Sequence, residues 1–250
     1  MSPLRAALTV VSVSALVGGL AWLALGSEAI RFRTLRVVGN DRASVAQLRH
    51  LADLTPGAPL LTLDLDAAIA GVARHPWVAE AEARRVFPDT VVIQVRERQV
   101  RALLLLDGLY LVDTEGTPFR RADPDQVDHP IVTGIPPALA ESNPALARRI
   151  VHDALGILDA APGRAGLREV DISEVRFDAE SGYTLALRNG GEVLLGFASS
   201  ALSEPGSVGS FGSASSAFSR LDELASRGVD LSRPLRIDLG SPKMAVVSPL

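Results

Sequence analysis

The chain has 250 residues, enough for two small domains, and a formal net charge of −4 that leaves no electrostatic footprint for nucleic acid. It contains no cysteine, which excludes disulfides, thiolate metal sites and a thiol nucleophile. Hydrophobic residues make up 47% but aromatic ones only 4%, so its cores must be built mainly from Leu, Val, Ile and Ala.

Residues 1–5 form a short leader, followed by an uncharged run from Ala6 to Leu25. At about 1.5 Å per residue that run matches a hydrocarbon core of about 30 Å, so a transmembrane helix is expected over residues 6–26. The run exceeds the usual apolar core of a signal peptide, and Trp22 stands near its end where an interfacial aromatic anchors a span. A retained anchor is therefore preferred to a signal cleaved at Ala24-Leu25-Gly26. Arg5 on one side and Arg31, Arg33 and Arg36 on the other do not orient it by charge. With so short a leader, function is expected after residue 26.

Residues 31–98 read as strand, helix, helix, strand, strand. Leu35–Val38 is a strand closed by Gly39-Asn40. Ser44 and Gln47 have capping-box spacing, opening a helix expected to bury Val45, Leu48 and Leu51, with Pro56-Gly57 beyond it. A second helix starts near the cap Asp64, carries Leu65, Ile69 and Val72 on one stripe, and ends about Arg74 because Pro76 drives His75 out of the α region. From Trp77 the residues alternate, with Ala79, Ala81 and Ala83 inward and Glu80, Glu82 and Arg84 outward. Phe87-Pro88-Asp89-Thr90 is a turn, and Val91, Ile93 and Val95 line the return strand. Trp77 is expected to fill the core, and Glu82, Arg84, Arg96 and Arg98 to form a solvated face.

Residues 99–250 begin with a hairpin, Ala102–Leu106 and Leu109–Val112 about Asp107-Gly108. Asp113-Thr114-Glu115-Gly116 is acidic enough to suggest a metal loop, but it lacks alternating Asp or Asn and a distal Glu, so a turn is expected. Asn143-Pro144 opens a helix that carries Leu146, Ile150, Ala154 and Ile157 to about Ala160. Strands are expected at Val170–Phe177, Tyr183–Leu187 and Glu192–Leu195. Residues 199–216 are dominated by Ser, Gly and Pro and read as a flexible loop. A helix with Phe218, Leu221, Leu224 and Ala225 on one face follows, ended by Gly228. Two short strands, Arg233–Leu239 and Met244–Val247, close the chain about Gly240-Ser241-Pro242.

Several of these segments resemble one family. HPWVA, then RRVFPDTVVIQVRER, preceded by FRTLRVVGNDRASVAQLRHLADLTPGAPLLTLDLDAA, looks like the POTRA domain of the bacterial cell-division family FtsQ/DivIB. LYLVDTEGTPF, HPIVTG and the closing IDL resemble successive segments of that family's β domain. The resemblance implies an α+β protein: an N-terminal transmembrane helix with the N-terminus cytoplasmic, a POTRA domain at 31–98 of two helices on a three-stranded sheet, and a mostly antiparallel β domain with flanking helices at 99–250. Gly39, Pro76 and Trp77 would be structural residues of the POTRA domain. The family's function would make the chain a non-enzymatic membrane scaffold of the divisome, without cofactor or metal. It would sit in the cell membrane at the septum, with its bulk periplasmic or extracellular, and bind FtsB/FtsL-type coiled-coil partners.

In the family the last strand is an edge that accepts a partner strand, which here places Ser241, Lys243, Met244, Ala245, Val246 and Val247 at the site. Gly240 and Ser241 stand where Arg and Tyr are usual, so the family's anchoring side chains cannot be carried over. On this model Val246→Pro is expected to remove an edge donor. Two alternatives were weighed: a membrane-anchored hydrolase, for which His129, His152 and scattered Asp would have to converge, and a POTRA-containing secretion or outer-membrane assembly factor. The second would need further POTRA repeats or a β-barrel.

Overall fold

The computed structural model describes residues 30–124, 126–197, 214–241 and 244–249, with positions 13 and 15. Apart from those two positions, the expected membrane span lies outside the described residues, among which no helix is long and apolar enough to cross a membrane. The chain divides after Arg98 into two compact units.

The first unit runs β1 (Thr34–Val38), α1 (Val45–Ala52), α2 (Leu65–Val72), β2 (Val78–Val86) and β3 (Thr90–Glu97). Its sheet has the order β1-β3-β2, with β1 parallel and β2 antiparallel to the central β3. Ser44 Oγ accepts from Gln47 N–H at 3.2 Å, but the expected reciprocal bond is absent: Gln47 Oε1 lies 3.3 Å from His75 Nε2 instead. Leu48 and Ala52, one helical turn apart, form the inward face of α1, so Val45 in its first turn is left 40% exposed rather than buried. Asp64 caps α2 through Ala67 N–H. A Cβ on Gly71 would stand 2.0 Å from Leu51 O, so the two helices meet where Gly71 has no side chain.

Trp77 is 5% exposed, and Val91, Ile93 and Val95 are buried with it. Gly39 ends β1 at φ +85°, and a Cβ there would lie 2.2 Å from Val95 O. The chain that follows is tied down by Glu97, whose carboxylate accepts N–H bonds from Asp41 (3.0 Å), Arg42 (2.9 Å) and Ala43 (2.8 Å). The Arg42 guanidinium in turn lies 4.3 Å over the Trp77 ring. Pro76 is exposed just before Trp77, and the Phe87–Pro88 bond at the β2–β3 turn is cis.

The second unit runs β4 (Val100–Leu105), β5 (Leu109–Asp113), β6 (Pro118–Arg121), β7 (Ile131–Thr133), α3 (Pro137–Ser142), α4 (Pro144–Ala160), β8 (Ile172–Asp178), β9 (Gly182–Leu187), β10 (Glu192–Gly196), α5 (Ala214–Ser226), β11 (Leu235–Asp238) and β12 (Val246–Pro249). One nine-stranded sheet holds them in the order β12-β11-β10-β9-β8-β7-β4-β5-β6. Five of its eight pairings are antiparallel, whereas β4–β7, β7–β8 and β10–β11 are parallel. The last two parallel pairs are those whose connections contain helices, since a parallel return needs a long crossover.

One face of this sheet carries the core. Val175, Tyr183, Leu185, Val193 and Ile237 pack with Ile150, Ala154, Ile157 and Leu158 of α4 and with Phe218 and Leu221 of α5. Asn143 caps α4 through Leu146 N–H, as its place before Pro144 implies. Asp113, 3% exposed, accepts N–H bonds from Glu115 (3.0 Å) and Thr117 (2.9 Å), which is turn chemistry. Val170 was expected in a strand but lies exposed in a turn closed by Arg168 and Asp171, so β8 starts at Ile172. The expected loop over 199–216 lies outside the described residues up to 213, and its last three positions belong to α5.

Candidate functional site

β12 is the outermost strand of the nine-stranded sheet among the described residues. Its antiparallel register sets Leu235 against Pro249, Arg236 against Ser248, Ile237 against Val247 and Asp238 against Val246. The next strand inward decides which backbone groups of β12 stay free. Leu239 N–H donates to Leu194 O of β10 at 2.9 Å. In a strand the N–H and C=O of one residue point the same way and successive residues alternate, so Ile237 also turns to β10 while Arg236 and Asp238 turn to β12. Ser248 and Val246, their partners, therefore point inward. Val247 directs both its N–H and its C=O outward, and Pro249 directs its C=O outward from a position that has no N–H.

This geometry corrects the substitution chosen from the sequence. A proline at Val246 would break the ladder to β11, whereas a proline at Val247 removes the outward donor. Of the six residues assigned to the edge, Val246 and Val247 lie in β12; Ser241, Met244 and Ala245 lie in the connection before it, and Lys243 falls outside the described residues. The strand itself continues through Ser248 to Pro249, further than its sequence suggests. Met244, Val246 and Val247 are 67%, 56% and 38% exposed, an apolar surface at the end of the sheet.

Sequence reasoning missed Arg220. It projects from α5 and its two terminal nitrogens donate to Leu239 O (2.9 Å) and Met244 O (2.7 Å), the carbonyls at the two ends of the connection into β12. Such charge-assisted bonds are stronger than neutral ones, and the guanidinium fork can take both at once. Asp238 accepts Gly240 N–H at 2.8 Å and fixes the same turn from its other side. α5 is held in its own place by Asp222, which accepts from Arg164 Nη1 (2.9 Å) and Ala165 N–H (2.7 Å). No sequence signal marks Arg220, because its partners are backbone carbonyls that any residue would supply.

The opposite edge is built differently. β6 reads Pro-Phe-Arg-Arg, with Arg120 paired to Asp123 and Arg121 to Asp107 at 2.9 Å. Proline and charge on an outer strand discourage pairing with another chain. Of the two outer strands among the described residues, β12 alone exposes neighbouring valines, and the N–H and C=O of Val247 point away from β11.

These features define a class: a POTRA-like unit of two helices and a three-stranded sheet, followed by a larger mixed sheet with one charged, proline-bearing outer strand and one apolar outer strand. The chain matches the family model described as "POTRA domain, FtsQ-type" over residues 30–98, and "Cell division protein FtsQ/DivIB, C-terminal" over residues 102–239. It belongs to the FtsQ/DivIB family of cell-division proteins. It is 43% identical over 176 residues to the cell division protein FtsQ of Anaeromyxobacter sp. (strain K), a match that covers 68% of this chain and 58% of the relative. Against the FtsQ proteins of Syntrophotalea carbinolica and Myxococcus fulvus the identities are 34% over 184 residues (73% and 64% of the two chains) and 37% over 173 residues (69% and 61%). The chain thus spans about three fifths of the length of these relatives. The C-terminal family match stops at Leu239, short of β12.

Proposed function

We propose that this chain is a non-enzymatic, single-pass membrane scaffold of the bacterial divisome. Residues 6–26 anchor it with the N-terminus in the cytoplasm, and residues 31–98 serve as a POTRA domain that docks membrane-side components. Residues 99–250 hold FtsB/FtsL-type coiled-coil subunits through a strand added to β12, which links them to septal peptidoglycan synthesis.

The observation that carries this reading is the outer edge of β12. An incoming strand can donate to Val247 O and Pro249 O and accept from Val247 N–H, and it can lie against Val246 and Val247. Each backbone bond adds about 0.5–1.5 kcal/mol net, so strand addition here needs side-chain anchors as well to reach micromolar affinity. With Gly240 and Ser241 in place of the family's Arg and Tyr, those anchors come from the valines and from the partner.

The test is a pull-down with the full chain from solubilised membranes of the source organism, beside a Val247→Pro variant. The wild type is expected to recover small coiled-coil membrane proteins and the variant to lose them while keeping its melting temperature. Equal recovery by a folded Val247→Pro variant would remove β12 as the site.

A further inference from the structure

One end of the first unit carries an apolar tip and an uncharged loop, and it is the end at which the chain enters. Arg33 and Thr34 N–H both donate to Asp89 O (2.9 and 3.2 Å), which sets the β2–β3 turn beside the entering chain. Phe32 exchanges backbone bonds with the loop after α1, through Phe32 N–H to Ala58 O (2.9 Å) and Gly57 N–H to Phe32 O (2.8 Å). Arg31 donates to Gly57 O and Arg85 to Leu60 O, each at 2.8 Å, so the loop is strapped to the same end. That loop, Leu54 to Leu63, contains no charged residue. Leu61 within it is 42% exposed, and Phe87 at the turn is 58% exposed beside Pro88. The charged loop held by Glu97 lies at the opposite end of the sheet.

We infer that this end of the first unit, with Phe87 and Leu61 foremost, seats on the phospholipid surface next to the membrane anchor. The inference rests on the reading of residues 6–26 as a span. From residue 26 to Arg33 the chain is seven residues long, at most about 25 Å when extended, and the headgroup layer itself takes up about 5–8 Å of that. The tether therefore keeps this end, from which the chain enters, within about 20 Å of the headgroups, nearer than the Gly39 end. A Phe and a Leu beside an uncharged loop suit the interfacial zone, where apolar side chains bury themselves at the boundary of headgroups and acyl chains. Arg31 and Arg33 stand at the same end, where their charges add attraction to phosphate headgroups to the apolar contact of Phe87 and Leu61.

Because the chain has no cysteine, one thiol can be placed at will. Full-length Phe87→Cys, Leu61→Cys and, from the far end, Asp41→Cys are labelled with bimane and reconstituted in phosphatidylethanolamine/phosphatidylglycerol vesicles. Headgroup-proximal doxyl lipid and aqueous iodide are then compared as quenchers. At positions 87 and 61 doxyl lipid is expected to quench several-fold more, and iodide several-fold less, than at position 41. Equal quenching at all three positions in chains that float with the vesicles overturns the seating and leaves the anchor standing. Protection from iodide without quenching by lipid means that a protein, such as a second copy, covers the tip, and also overturns it. Failure to float removes the anchor, and the seating with it.

Discussion

Trp77 is buried under Arg42, and the backbone of Arg42 is held by Glu97 near the end of the unit, so residues far apart in sequence close one corner of the first unit. Trp77→Ala should cost about 3–5 kcal/mol, seen as a lower melting temperature of the full chain in detergent; an unchanged transition would show that the ring is not core. Burial alone would raise the Glu97 carboxyl, but N–H bonds from Ala43, Arg42 and Asp41, with the charge of Arg42, outweigh it and hold the group below its ordinary 4.5. A carboxyl lowered on folding contributes stability that is fully present above its unfolded value and is lost as the pH falls through its folded one. Melting temperature should therefore drop below about pH 4.5 more steeply in wild type than in Glu97→Gln. Superimposable profiles would count against that role. At this scale the sequence was legible where a residue acts through its own chemistry, as with the caps Ser44, Asp64 and Asn143 or the turn at Asp113. It was silent for Glu97 and Arg220, which act on backbone groups brought near only by the fold.

The elements themselves were largely readable. Alternation marked β2 and β3, and helical spacing marked α4 and α5, because each buries one face. Pairing was not readable: nothing local says that β7 lies between β4 and β8, or that β11 runs parallel to β10. A proline therefore removes the outward donor at position 247 and not at 246, since the outward groups of β12 follow from how β11 meets β10. Hydrogen exchange on the full chain should find the Val246 and Ser248 amides protected and the Val247 amide fast, with added partner slowing Val247. The reverse pattern would mean that the register is off by one. β12 is short and both its valines are partly exposed, so its hydrophobic pattern specifies register weakly. Arg220→Lys, which gives up the two-pronged grip, should speed exchange at Val246 and Ser248 while leaving β9 unchanged. Unaltered rates would leave Arg220 no part in positioning the edge.

Across the whole molecule, the sequence carried the order of its parts better than their surfaces. The POTRA-like pattern and the closing IDL were visible because they are short runs with fixed turn residues. The apolar tip of the first unit was not, since it gathers Phe32, Leu61 and Phe87 from three separate stretches. The stretch before α5 should tolerate changes of length, because Asp222 and Arg220 fasten α5 from within its own length. Deleting residues 203–211 is expected to leave the melting temperature and Val247 exchange unchanged; a fall in either would show that the stretch helps to hold the sheet.

The missing N–H at Pro249 has a consequence for the protein in bulk. If β12 accepts a strand as proposed, unlimited pairing would let the sheet recruit copies of itself until it precipitated. Pro249 interrupts the outward ladder after a single donor, and the Pro118, Arg120 and Arg121 rim of the opposite edge offers such a copy a poor place to begin. On the proposal that β12 accepts a partner strand, these two edges let the sheet do so without becoming the seed of a fibre.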